Sequence, residues 1–245
     1  RGDVAGLQSE LSGAPSTDAV IAALRRLPTG SRVVEVGCAR GALGSLAILL
    51  GHDYVGLDIS ESAVGAAVAH FGPHFRADPM GALEPGTFDL VYHTGTVGCV
   101  PDPVLFTTGA LALLAPGGRL VFNAPNVASA QATGALWDFG TPPPDLVTLF
   151  PVEFWHTRFA SRADVVVDAV AAVPRYAARM WLRQRLGLPA DRAAAVALAQ
   201  SGSVDKGLER LVSQLARLLV GVPGVAQMIP ALPHPYGILI EMRRP

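Results

Sequence analysis

Three carboxylates sit at the ends of short apolar runs: Glu35 in "RVVEVG", Asp58 in "YVGLDIS" and Asp78 in "FRADPM". A carboxylate so placed can accept hydrogen bonds from the hydroxyl or amino groups of a ligand. The first belongs to "VVEVGCARGALG", Val33 to Gly44. Gly37, Ala39 and Gly41 are small enough for the backbone to approach a ligand closely, and the helix that follows begins with free N–H groups. A dinucleotide turn would read G-x-G-x-x-G; counting from Gly37 the pattern is not met, and Ala39, Gly41 and Gly44 give only a shifted A-x-G-x-x-G. Glu35, two residues ahead of Gly37, suits a ligand carrying a cationic or hydrogen-bond-donating group better than a pyrophosphate. Asp58 follows Gly37 by 21 residues, a placement from which a carboxylate can accept both hydroxyls of a ribose. His93, Cys99 and His156 are the candidates for proton transfer or nucleophilic chemistry. Metal binding is not expected, because "FGP" ends the helix that would align His70 with His74. No Walker loop and no G-x-S-x-G turn is present.

The elements that must position these residues alternate. Ser16 and Thr17 can cap a helix with apolar Val20, Ile21, Leu24 and Leu27. Strands are predicted at 32–36, 54–58, 74–77, 88–93 and 119–123. Helices are predicted at 42–50, at 60–70 with Ser60 as cap, and at about 103–114, closed by "APGG". Such alternation implies a parallel sheet covered on both faces. Beyond Asn123 the rhythm breaks into a Pro/Gly-rich connection, a helix over about 152–162, a strand at 165–170 and a last strand, "YGILIEM", at 236–242. Between the last two strands, Val204, Leu208, Leu211, Val212, Leu215, Leu218 and Leu219 outline an amphipathic helix. The expected fold is α/β: a Rossmann-like doubly wound sheet, mostly parallel with an antiparallel last strand, plus a helical insert. Its divisions are an N-terminal helical segment (1–30), a core (31–173 and 235–245) and the insert (174–234).

The chain has 245 residues, half of them hydrophobic, enough to bury a full core. A net charge of −1 provides no field for a polyanion, so nucleic acid is not expected as partner. Lys206 is the only lysine among 19 basic residues, a compositional bias that discounts arginine counts, so Arg175, Arg179 and Arg183 on one helix face read as solvated. Cys38 and Cys99 are too few for a disulfide framework and favour a reducing, cytoplasmic setting. Mean hydropathy is +0.37, but the most apolar stretch, Leu218 to Pro233, holds three prolines and is short for a span, so no membrane span is expected. The chain opens at Arg1 rather than methionine.

"VVEVGCARG" resembles the first motif of the class I S-adenosylmethionine-dependent methyltransferases, E/D-x-G-x-G-x-G, with Ala39 at the usual middle glycine. "YVGLDIS", "FRADPM", "GTFDLVYHTGTVGCVPDP" and "LLAPGGRLVFNAPN" resemble the motifs that follow, in order, over about 31–126. The resemblance implies that Glu35, Gly37, Ala39, Gly41 and Asp58 contact S-adenosylmethionine, with Asp58 on the ribose. It implies that Ile59 packs on the adenine, that Asp78 receives its amino group with Pro79 and Met80 lining the ring, and that His93 and Thr94 flank the methionine end. Trp137, Pro143, Pro144 and Phe150 resemble a branch acting on small molecules in natural-product or sugar pathways, which makes Asn126 and Trp137 candidates for the acceptor site. The branch usually carries histidine where this chain has Cys99, and another after the proline pair, where it has Asp145 and Leu146.

Methyl transfer from a sulfonium is an in-line displacement that needs positioning and exclusion of water, with a base only if the nucleophile must lose a proton. The expected activity is metal-independent transfer of a methyl group to a small-molecule hydroxyl, the 174–234 segment serving as a cap or a homodimer surface. Two alternatives are a non-catalytic module that binds the cofactor or a partner, and a nicotinamide-dependent oxidoreductase, which would rest on Asp58 and the shifted glycine pattern.

Overall fold

The computed structural model describes residues 3–12, 14–128, 146–170, 181–182, 185–187, 211–212, 214–216, 218–219 and 237–245. Two helices open the chain, α1 (Val4–Leu11) and α2 (Pro15–Arg26). Then come β1 (Arg32–Val36), α3 (Ala42–Leu49), β2 (Asp53–Leu57), α4 (Glu61–Phe71), the two-residue β3 (Phe75–Arg76), β4 (Phe88–His93), α5 (Pro103–Leu113) and β5 (Leu114–Pro125). A short helix, α6 (Phe154–Phe159), precedes β6 (Asp164–Val170) and β7 (Gly237–Arg243). The seven strands form one sheet in the order β3-β2-β1-β4-β5-β7-β6. All neighbours are parallel except β7, which runs antiparallel to β5 and β6. The expected doubly wound sheet with an antiparallel last strand is therefore the observed one.

The strands read as near-continuous apolar runs because both faces are covered. On one face Val33, Leu90, Tyr92 and Val121 pack with Val20, Ile21 and Leu24 of α2, Leu43 and Leu46 of α3, and Val64 of α4. On the other, Val34, Val36, Val91, Phe122 and Ile240 pack with Ala110 and Leu111 of α5 and with Trp155 and Phe159 of α6. No helix among the described residues is long and apolar enough to cross a membrane.

Several local expectations are corrected. The residue that caps α2 is Ala14, without a side-chain bond, because Pro15 takes the first helical position and draws Ser16 and Thr17 inside. α1 is additional; Asp3 caps it by accepting from the Gly6 amide. "APGG" does not close a turn ahead of the fifth strand. β5 already pairs at Leu114 with Phe88, and a register shift absorbs the extra residues before the ladder resumes at Leu90 and Arg119. The cap by Ser60 holds: its side chain accepts from the Ala63 amide. Trp137, Pro143, Pro144, Arg175, Arg179 and Arg183 lie outside the described residues, as does most of the 174–234 segment. Of that segment's amphipathic helix, residues 211–212, 214–216 and 218–219 are helical, with Val212 and Ala216 buried and Leu211 and Leu218 exposed.

Trp155 has no exposed surface and touches the rings of Phe122, Phe150, Phe154 and Phe159. Trp155→Ala should lower the unfolding free energy by ~3–5 kcal/mol, measured by urea denaturation followed in the far-UV.

Candidate functional site

From β1 the chain winds out to β2 and β3 on one side and to β4 and β5 on the other, so the crevice at the carboxyl ends of β1 and β4 is a topological switch point. A cavity of about 520 Å³ opens there. Gly37, Asp58, Ile59, Asp78, Pro79, Met80 and Thr94, all expected at the site, line it, and so does Cys99. Leu57, Gly95, Thr96 and Phe106 line it as well and were not anticipated. Gly95 and Thr96 lie inside the quoted "HTGTVG" stretch, whereas Phe106 arrives from α5 and only the fold brings it there.

The turn after β1 is tied to β2. The amides of Gly37 and Cys38 both donate to the Leu57 carbonyl, at 2.7 and 2.9 Å. Gly37 has φ +83°, and a Cβ there would lie 2.4 Å from the Thr96 hydroxyl, so only glycine fits. Ala39 is also left-handed, at φ 46°. That conformation disfavours a side chain, and its amide is engaged by the Asp58 carboxylate at 2.8 Å. Gly41, at φ 79°, starts α3. The other oxygen of Asp58 accepts from the Ser60 amide at 2.9 Å. Two backbone donors thus fix the carboxylate while each oxygen keeps lone-pair capacity for a ligand. Ile59, next along, is almost fully exposed at 99%. An apolar side chain in that state beside a fixed carboxylate suits a flat ring laid against it. Asp78 lies 3.9 Å from Arg76. On the β4 side, Gly95 donates its amide to the Asn123 side chain at 2.8 Å, and the Thr96 hydroxyl donates to the Val36 carbonyl at 3.2 Å, so the loop is anchored to both neighbouring strands.

Glu35 does not reach the cavity. Its carboxylate is buried beneath the turn, where Tyr54 donates to it at 2.6 Å and Tyr92 at 3.2 Å. Tyr92 stands opposite Glu35 in the β1–β4 register. Tyr54 reaches it through a slot left by two glycines: a Cβ on Gly44 would lie 2.1 Å from the phenol oxygen, and one on Gly56 would lie 2.7 Å from it. Burial outweighs these donors and raises the Glu35 carboxyl from 4.5 to about 7.

His93 is likewise enclosed, on the opposite face of the sheet. Its ring lies 4.5 Å from that of Phe122 and 5.1 Å from that of Phe106, neither ring nitrogen has a hydrogen-bond partner, and burial lowers it from 6.5 to about 3. A base must touch the group it deprotonates, and the structure walls His93 off from the cavity. His156 is exposed on α6 and does not line the cavity. Of the three proton-transfer candidates only Cys99 does, its thiol donating to the Gly95 carbonyl at 3.4 Å. Asn126 is buried next to Phe150, its side-chain oxygen accepting from the Ala128 amide.

A family model for a methyltransferase domain matches residues 8–166. The chain belongs to the methyltransferase-domain family. The motif series and the strand order agree with that membership, in its class I, S-adenosylmethionine-dependent form. Among curated proteins, the chain is similar to a ubiquinone biosynthesis O-methyltransferase of Paraburkholderia phymatum, 32% identical over 106 residues, 40% of this chain and 46% of that protein. Another of that name, from Aromatoleum aromaticum, is 31% identical over 105 residues, 40% and 45% of the two chains. The match spans about half the length of these relatives. Among solved structures, a SAM-dependent methyltransferase from Archaeoglobus fulgidus aligns over 93% of this chain and 94% of its own, with TM-score 0.54 and 16% identity. The N-methyltransferase NodS from Bradyrhizobium japonicum, solved with S-adenosyl-L-homocysteine, aligns over 96% and 91%, with TM-score 0.50 and 17% identity. These structural likenesses establish the fold.

The buried acid sets a pH dependence. The Glu35 carboxyl is raised in the folded state, so the stability tied to its protonated form is complete below about pH 4.5 and is lost as pH rises through 7. Glu35→Gln removes this loss: relative to wild type the variant should gain up to ~3 kcal/mol between pH 4.5 and 7, measured as the difference in urea-unfolding free energy at several pH values. His93 acts oppositely in wild type and variant alike, its contribution being lost as pH falls from 6.5 through 3, so the difference isolates Glu35.

Proposed function

We propose that the chain transfers the methyl group of S-adenosylmethionine to a hydroxyl oxygen of a small molecule, without a metal. The observation that carries this reading is the crevice itself: a carboxylate held by two backbone amides, a neighbouring isoleucine left uncovered, and a glycine turn narrow enough for close backbone approach. In this reading Asp58 accepts the ribose hydroxyls, Ile59 and Met80 cover the adenine, and Asp78 takes its amino group beside Pro79. Gly37, Thr94 and Gly95 give the methionine part its room. The bound cofactor supplies a methyl group on a good leaving group, and the protein's part is to align the acceptor and exclude water.

The names of the curated relatives, O-methyltransferases of ubiquinone biosynthesis, support oxygen as the acceptor atom, and a hydroxyl that gives up its proton readily, such as a phenol, asks least of a base. Cys38 is a buried free thiol, in keeping with a cytoplasmic site of action. Residues 174–234 and Trp137 remain assigned to the acceptor side, the segment as a cap or a subunit surface.

The test is radiolabelled methyl transfer to a panel of mono- and dihydroxylated aromatic acids and matched amines, with wild type and Asp58→Ala. The expected result is an O-methyl product and, in the variant, a donor KM raised roughly tenfold or more, because charge-assisted bonds to the ribose are lost. Methylation of the amines alone would overturn the oxygen assignment, and donor binding with no turnover on any acceptor would favour the non-catalytic reading.

A further inference from the structure

Glu35 is the one carboxylate of the site that neither lines the cavity nor reaches solvent. It lies on the central strand directly beneath the turn that begins at Gly37, and the groups facing it are few. Tyr54 from β2 and Tyr92 from β4 donate to it, and the Gly44 amide of α3 contributes a backbone donor. The Cys38 thiol of the turn and the Asp58 carboxylate beyond β2 act on it through space. No cationic side chain is among them. Burial pushes the Cys38 thiol up to about 12 and both phenols well above their ordinary value, so these three stay neutral near pH 7.

A buried acid with neutral donors, a carboxylate neighbour and no cation has an electrostatic deficit: its ionised form is held by hydrogen bonds alone. The donor of the proposed reaction carries a sulfonium charge and the demethylated product a neutral thioether, while the two molecules are otherwise alike. We propose that Glu35 is a specificity-determining residue that distinguishes the charged methyl donor from the neutral product, ionising when the donor's positive charge enters the crevice above it and retaining its proton when the product does. This rests on the cofactor assignment made above. The proton balance is simple: donor binding sends the Glu35 proton to solvent, and product binding leaves it in place. The affinity for donor therefore rises with pH until Glu35 is ionised in the free protein, and the affinity for product rises less. The raised Glu35 carboxyl, near 7, puts the change inside the range in which the protein can be studied.

The experiment is calorimetric titration of the full chain with S-adenosylmethionine and with S-adenosylhomocysteine at pH 5.5, 6.5 and 8, each in two buffers of different ionisation enthalpy. The dependence of the heat on the buffer counts the protons released. At pH 6.5 the donor should release measurably more protons than the product. A nearby opposite charge shifts a carboxyl by about one unit or more, so the donor-to-product affinity ratio should rise about tenfold from pH 5.5 to pH 8. In Glu35→Gln the extra proton release and the change of ratio should both vanish, and any release from the ligand's own amino group is subtracted by that comparison. Should Glu35→Gln not fold, Tyr92→Phe removes one donor to the carboxylate and should move the change of ratio to higher pH. Equal proton release by both ligands in wild type, or an unchanged pH dependence in Glu35→Gln, overturns the proposal. Binding of neither ligand at any pH would overturn the cofactor assignment instead.

Discussion

The hydrogen bonds from Tyr54 and Tyr92 to Glu35 fix its buried carboxyl beneath the turn that carries the site. They join β2, β1 and β4 by side chains as well as by backbone ladders, at the point where the chain must leave β1 and turn above the sheet. Their geometry is demanding. Tyr92 reaches Glu35 because the parallel register sets the two side by side. Tyr54 starts two residues before the position paired with Glu35 and enters a slot that Gly44 and Gly56 leave open. The arrangement keeps a carboxylate in an apolar layer, where an unpartnered one would be far more costly.

Everything directed at a ligand stands on that base. The turn is left-handed at Gly37, Ala39 and Gly41, and the strain at Ala39, the one residue of the three with a side chain, is offset by the bond from its amide to Asp58. Strained backbone of this kind persists where its surroundings over-determine it, and here those surroundings are the Leu57 carbonyl, which takes two amides, and the Asp58 carboxylate, which takes two more. The β4 loop is pinned from Val36 and from Asn123. The crevice is therefore shaped before any ligand arrives, which limits the ordering cost of binding.

Much of this was legible in the sequence. Asp58 and Asp78 announced themselves because a carboxylate closing an apolar run is conspicuous, Ile59, Pro79 and Met80 came with the resemblance of the motifs around them, and all five line one cavity. What stayed hidden needed register or the choice of face. Glu35 looks as accessible as Asp58 in one dimension; only the pairing of β1 with β2 and β4 shows that two tyrosines cover it. His93 ends its strand as a site residue would, yet strand alternation turns its ring into the layer of Phe106 and Phe122. Ser16 and Thr17 look like caps until Pro15 starts the helix ahead of them, and "APGG" looks like a turn although its residues continue an irregular strand.

The central claim is that the crevice between β1 and β4 holds a methionine-bearing nucleoside through Asp58 and the turn above Glu35. A crystal structure of the chain with S-adenosylhomocysteine tests it most directly. Both ribose hydroxyls should lie on the Asp58 carboxylate and the adenine against Ile59, with Glu35 still beneath the turn and both tyrosines in place. A nucleoside bound elsewhere, or in the crevice with its ribose turned away from Asp58, would contradict it.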